Sequence, residues 1–476
     1  MTEADAKKLE EQAAPIPPNP VAQIAATIDR LIHDARDVRL AARVCTAAAA
    51  SYLLDEKLKV LEGLAEAVTS LGSTDSEERS NGIKHAIQTR RTSDRLQHTR
   101  LSETLSSSLF VQLFSLFDVF TGNLLRAFYS AKPALFSSID RSIPFSDILQ
   151  AASFRDLQDA VLDSEIEGIR RKSYIEQFEY FETKFSISLR KFSRWMDFVE
   201  CSQRRNLYTH CGGIVSAQYR KICASQGYPD DKLPPIGTKL TLDTNYLVNA
   251  CELIIEVAFK LGQTLWRKVL PENLQEADIH LRDTQYLALE AEMWDRARTI
   301  GKFGVDQKKW STEVLRNMIA FNYAISLKFG SQEKEARSLV EVIDVSASAP
   351  AFKLAKAVLL DDFKAAKEIM IGCGKNDELV QEEAYHIWPL FKEFRGSPEF
   401  LSAYQEIYGY QFSSTLRARA DETIVDLKAS VQKARETVAV AEKQMRDSAA
   451  GLSEHTLSSE SLRAEKANEL PIVTNS

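Results

Sequence analysis

An arginine, an asparagine and a histidine stand within six residues in the stretch Arg205-Asn206-Leu207-Tyr208-Thr209-His210. An unperturbed imidazole titrates at about pH 6.5, so His210 can take or give a proton near neutrality. Arg205 carries a permanent planar array of N–H donors suited to phosphate. Asn206 precedes His210 by four residues, on the same face of a helix, where its amide could orient the imidazole or a substrate. Together such groups could serve acid–base chemistry at a phosphate, the imidazole moving a proton and the guanidinium meeting charge on the phosphoryl oxygens. Arg205 lies about 140° around an ideal helix from His210, so the two converge more easily at a frayed helix end or across a symmetric dimer.

Simpler roles are open to the same residues. A histidine in a last helical turn can cap carbonyls, Arg205 can pair with Glu200, and Asn206 can face solvent. With seven histidines in the chain, about half an occurrence of Arg-x4-His arises by chance, so the spacing alone carries little weight. His33, His85, His98, His280, His386 and His455 have no partner pattern and read as structural.

The elements that must hold the motif read as helices throughout, which predicts an all-α fold. Only 18 glycines and 14 prolines interrupt 476 residues, and apolar residues recur at three and four. Residues 1–20 read as a disordered leader, and Val21 to about Leu71 as two amphipathic helices followed by a loop from Gly72 to Gly82. The face Leu109, Phe110, Leu113, Phe114, Phe117, Phe120, Leu124, Leu125 and Phe128 predicts a buried helix stopped by Pro133. Helices follow over Ser146 to Ala152, Phe154 to Arg171, Ile175 to Phe185 and Ser186 to His210, the last capped by Cys211-Gly212-Gly213. A loop from Gly227 to Gly237 leads to a helix from Asn245 to Val269. Beyond Pro271 come shorter helices, including Leu287 to Ile300, Val314 to Phe329 and Leu379 to Trp388. Phe352 to Leu360 and Phe363 to Met370 read as a tight hairpin, in an irregular helical repeat. Ile424, Leu427, Val431, Ala434, Val438, Ala441 and Met445 form a coiled-coil-like seam for self-association or docking, ahead of a polar tail.

The stretch from Trp195 to Tyr219 resembles the signature of HEPN-type ribonucleases. There an Arg, a polar residue, three more residues and a His end one helix of a small bundle. Here these are Arg205, Asn206 and His210, followed by Gly212-Gly213-Ile214-Val215. The resemblance covers about Leu101 to Leu270 and includes the aromatic-rich helix near Phe114. It departs at Cys211, where relatives often carry Asn. It implies a HEPN-like bundle over 101–271; beside it, the residue pattern reads as helices over 21–100 packed on that bundle, a hairpin domain over 272–412, and a coiled-coil-like helix and tail over 413–476. Arg205, Asn206 and His210 would then be catalytic, and Arg204, Tyr219, Arg220 and Lys221 would contact RNA. The implied protein is a homodimeric, metal-independent and cofactor-free endoribonuclease, a regulated toxin or defence effector, with a regulator or antitoxin held through 272–412. The competing expectation is a non-catalytic helical scaffold for dimerisation or for binding RNA or protein.

A net charge of −7 argues against a chain that coats nucleic acid, although it leaves room for a small basic site. The six cysteines show no metal-ligand spacing and read as reduced thiols. Every apolar run reads as broken by charge before the roughly 20 residues that a bilayer crossing needs, and no secretory signal is legible, so the expectation is a cytoplasmic protein without a membrane partner.

Overall fold

The computed structural model describes residues 19–140 and 142–412, together with Gln432, Lys433, Arg435 and Glu436. The chain is all-α: among these residues there are seventeen α-helices and no strand. The predicted leader, apart from Asn19 and Pro20, and the seam from Ile424 to Met445, apart from those four, lie outside the described residues. The chain divides into two units, Met1–Ser348 and Ala349–Ser476.

Helix α1, Pro20–Leu71, is a single element of 52 residues where two were expected. The run from Ala41 to Ala50 is rich in alanine, the best helix former, and no glycine or proline interrupts it. Asn19 caps its start by accepting from the Val21 N–H at 3.0 Å, with Pro20 at the first helical position. Helix α2, Ser76–Gln97, begins inside the expected loop because Asp75 caps it, accepting from the Glu77 N–H.

Helix α3, Leu101–Ala131, buries the predicted phenylalanine face, with Leu109 partly buried. An 18-residue window within Ser76–Ala131 reaches a mean hydropathy of 1.4 and is half buried. By length and composition it is sufficient to cross a membrane, which corrects the expectation that every apolar run is too short. In the fold its phenylalanines meet other aromatic rings edge-on, Phe110 with Phe114 at 5.5 Å and Phe117 with Phe198 at 5.7 Å.

Short helix α4, Phe145–Gln150, precedes α5, Phe154–Arg170, and α6, Tyr174–Phe185. Ser186 takes a left-handed conformation, φ 52°, and ends α6. The Glu182 carboxylate then accepts from the Leu189 and Arg190 N–H groups, holding a non-helical connection. The motif helix α7 therefore runs only over Trp195–His210, not from Ser186. Helix α8, Ala217–Ser225, and the long core helix α9, Thr244–Val269, complete the bundle.

Gly262 of α9 faces α1 so closely that a Cβ there would sit 2.6 Å from the Ile28 side chain. Gly262→Ala is expected to destabilise the protein by about 1–3 kcal/mol through overpacking, read as a lowered thermal midpoint. An unchanged midpoint would mean that α1 shifts freely on α9.

The core does not stop at Pro271. Helices α10, Leu274–Glu290, α11, Trp294–Val305, and α12, Glu313–Phe329, add Ala277, Leu281, Ile300 and Ile319 to the cluster containing Trp266 and Val269. Arg267 of α9 pairs at 2.5 Å with Asp278, which is fully buried. The first unit thus extends through α13, Glu333–Val342, to Ser348, beyond the boundary expected at 271. The second unit contains α14, Pro350–Leu359, α15, Phe363–Cys373, α16, Glu382–Ile387, and α17, Pro398–Tyr408.

A common turn recurs in the hairpins α10–α11, α12–α13 and α14–α15. Glu292, Ser331 and Asp361 each take positive φ. The N–H of the following residue, Met293, Gln332 or Asp362, reaches back to the carbonyl of Ala288, Leu327 or Ala357. This is the 6→1 bond of a Schellman motif, and it breaks the helix expected over 287–300. Each turn is followed five residues later by a buried alanine, Ala297, Ala336 or Ala366. The turns are 39 and 30 residues apart, so no fixed period is legible in the sequence.

Candidate functional site

Helix α7 is anchored by its apolar face. Trp195, Phe198, Val199 and Leu207 are buried, and the Phe198 ring lies among Phe117, Tyr174 and Phe178. Its end is fixed by the glycines that follow. The Cys211 and Gly213 N–H groups both donate to the Leu207 carbonyl, and Gly212 and Gly213 take φ of 57° and 80°. Those values place the two glycines in the left-handed region, as expected of the cap.

Residues 213–215 then run beside 237–240. Val215 donates to the Thr238 carbonyl and Leu240 to that of Gly213, both at 2.9 Å. This pairing, which the sequence reading did not anticipate, closes a small core of Leu207, Val215, Tyr219, Cys223, Leu233 and Leu240 under the motif.

The structure separates the seven candidate residues into different environments. Arg205 donates from Nη1 to Asn206 Oδ1 at 3.1 Å, and its Nη2 lies 3.9 Å from the Asp118 carboxylate of α3. The buried Nε of Arg205 has no hydrogen-bond partner. Asp118 also accepts from the Tyr174 hydroxyl at 2.8 Å. Burial pushes the Asp118 carboxyl upward, against the opposing pull of Tyr174, Arg205 and Arg170. Burial and then Asp118 push Tyr174 up as well, so its phenol keeps its proton. Sequence reasoning missed Asp118, although a lone carboxylate inside the phenylalanine face of α3 is itself a signal.

His210 sits on the exposed last turn of α7. An ideal helix sets it roughly 7.5 Å further along the axis than Arg205. Arg205 and Asn206 are brought together with Asp118, whereas His210 stands at the rim.

Of the residues expected to contact RNA, Tyr219 is buried and Arg204 is partly buried, both turned to an internal partner. Glu200, only 7% exposed, accepts from Arg204 Nε at 2.8 Å, Tyr219 Oη at 2.6 Å and Tyr246 Oη at 2.9 Å. The Arg204 guanidinium also lies 4.0 Å from the centre of the Tyr246 ring. Arg220 is largely committed too, donating to the Leu233 and Pro234 carbonyls and pairing with Asp230 at 2.6 Å. Lys221 is exposed.

Comparison with known proteins returns no match: no family model, no curated protein and no solved structure corresponds to this chain. The reading of the site therefore rests on its own residues. A cleft of 580 Å³ lies at the other end of α7, beside Arg194, where Glu252 binds Arg39 and Arg296. It holds none of the motif residues.

Cys211, next to His210, is exposed, whereas Cys223 and Cys251 are buried and pushed up to about 12 by burial. A thiol titrating that high stays protonated and unreactive at pH 8. A maleimide pulse at that pH is expected to label Cys211 well before Cys223 or Cys251, as read by peptide mass spectrometry. Equal labelling of Cys223 would show that the small core beneath the motif opens.

Proposed function

We propose that this chain is a metal-independent, HEPN-type endoribonuclease. The observation carrying the proposal is the end of α7, where a solvent-exposed imidazole follows an arginine held by Asn206 and Asp118. In the proposed reaction the 2′-oxygen bonds to phosphorus as its proton passes to an imidazole. The P–O5′ bond breaks, and the 5′-oxygen takes a proton from a second imidazole. Arg205 stabilises charge on the phosphoryl oxygens. Each chain supplies one motif histidine, so the active unit is a homodimer whose two-fold axis brings the second. Lys221 adds a positive contact at the rim.

On this reading the protein is cytoplasmic and serves as a toxin or defence effector, with a regulator bound through 272–412. The test is incubation of purified protein with total RNA in EDTA, followed by end-group analysis. Products bearing 2′,3′-cyclic phosphate and 5′-hydroxyl ends are expected, and a strict metal requirement would sink the mechanism.

A second reading, a non-catalytic helical binding module, is favoured by the internal commitment of Arg204, Tyr219 and Arg220. Intact RNA after incubation with the wild-type protein would select it.

A further inference from the structure

The outer face of α1 repeats at alternating intervals of four and three through Leu40, Val44, Ala47, Ser51, Leu54, Leu58, Leu61, Ala65 and Val68. Such spacing over four heptads is the seam of a coiled coil. All nine residues are exposed, with Leu54 at 60%, Leu61 at 63% and Val68 at 68%. The opposite face carries the smaller residues. Gly63 and Ala67 are buried with Val60 against α2, where a Cβ on Gly63 would sit 3.0 Å from Thr89 and one on Gly82 would sit 2.9 Å from Ser70. Helix α1 thus turns its glycine and alanine toward its neighbour and its leucines toward solvent, the reverse of what burial favours for an isolated subunit.

We infer that this seam pairs in parallel and in register with α1 of a second copy of the chain. Charge chooses both the occupant and the direction. With Leu54, Leu61 and Val68 at d and Leu58 at a, Lys57 takes a g position and Glu62 the e position five residues on. Among the described residues neither has an ion-pair partner within the subunit, whereas the neighbouring Lys59 pairs with Glu56. Parallel pairing sets Lys57 beside Glu62 of the second copy, twice across the two-fold axis. Antiparallel pairing instead sets g against g and e against e, so that Lys57 no longer faces Glu62 of the second copy. None of these residues belongs to the motif, so substitutions in the seam leave the residues of the proposed cleavage site unchanged.

The test is sedimentation of the full chain, with circular dichroism to check the fold. The wild type is expected at about twice 53.5 kDa. Leu54→Asp combined with Leu61→Asp is expected to raise the dimer dissociation constant at least about 100-fold with helix content unchanged, since both positions are solvent-exposed in the subunit. Lys57→Glu should weaken the dimer about tenfold, and adding Glu62→Lys should restore it. Ser51→Cys, at an a position, should form a self-disulfide under mild oxidation that the wild type does not form. A monomeric wild type, or a dimer indifferent to Leu54→Asp with Leu61→Asp, would overturn the seam as an interface between copies. A dimer that dissociates with that pair of substitutions but gives no Ser51→Cys cross-link would overturn parallel pairing.

Discussion

Replacing His210 by alanine is expected to lower RNA cleavage by about a thousandfold while the helix content and thermal midpoint stay at wild-type values. The separation of the two effects follows from where the imidazole sits. His210 is exposed on the last turn of α7 and adds nothing to the apolar clusters that hold the helix, so its removal leaves no cavity. If proton transfer at both oxygens is carried by this histidine and its symmetry mate, one substitution removes base and acid together, and no neighbouring histidine replaces them. Arg205→Ala should behave similarly in activity. Arg205→Lys should recover little, because an ammonium cannot reproduce the planar contact of a guanidinium with phosphate and with Asn206. The measurement is single-turnover cleavage of a labelled RNA in EDTA. Wild-type rates in His210→Ala would remove the basis of the proposal.

Glu200→Ala is expected to have the largest effect on stability, a loss of about 3–5 kcal/mol in chemical unfolding. The carboxylate joins three helices. It sits on α7 with Arg204, and it receives the hydroxyls of Tyr219 on α8 and Tyr246 on α9. Without it the mostly buried Arg204 guanidinium loses its counter-charge and two phenols lose their acceptor, and each orphaned group retains its desolvation penalty. Glu200→Gln keeps an oxygen acceptor but not the charge and should fall between the two. Any cleavage activity should decline with Glu200→Ala in step with stability, whereas His210→Ala should lower activity alone. A stability loss below about 1 kcal/mol would mean that water replaces the carboxylate within the network.

The two substitutions differ because neighbouring residues on one helix face different surroundings. Arg204 and Arg205 are adjacent cations before a histidine, and the sequence reading gave Arg205 the catalytic position and Arg204 a contact with RNA. One turns under α8 and α9 into the Glu200 network, and the other turns toward Asp118 on α3. The 100° step between successive helical residues produces this divergence: Arg204 meets Glu200 one turn back on its own helix, where Tyr219 and Tyr246 complete the network, whereas Arg205 meets Asp118, which arrives from a distant part of the chain.

The amino-acid sequence by itself determined the helical class, the buried phenylalanine face of α3 and the glycine cap after His210. Each is a local property: apolar spacing at three and four, a side chain large enough to require burial, and a left-handed position that glycine occupies at little cost. Only the tertiary structure decided that α1 runs unbroken, that the core continues past Pro271, and that Arg204, Tyr219 and Arg220 are turned to internal partners. It also brought Asp118 to Arg205 across 87 residues of chain and left the leucines of α1 facing solvent. Those outcomes depend on which elements pack together, and a periodic pattern states that a face must be covered without stating by what.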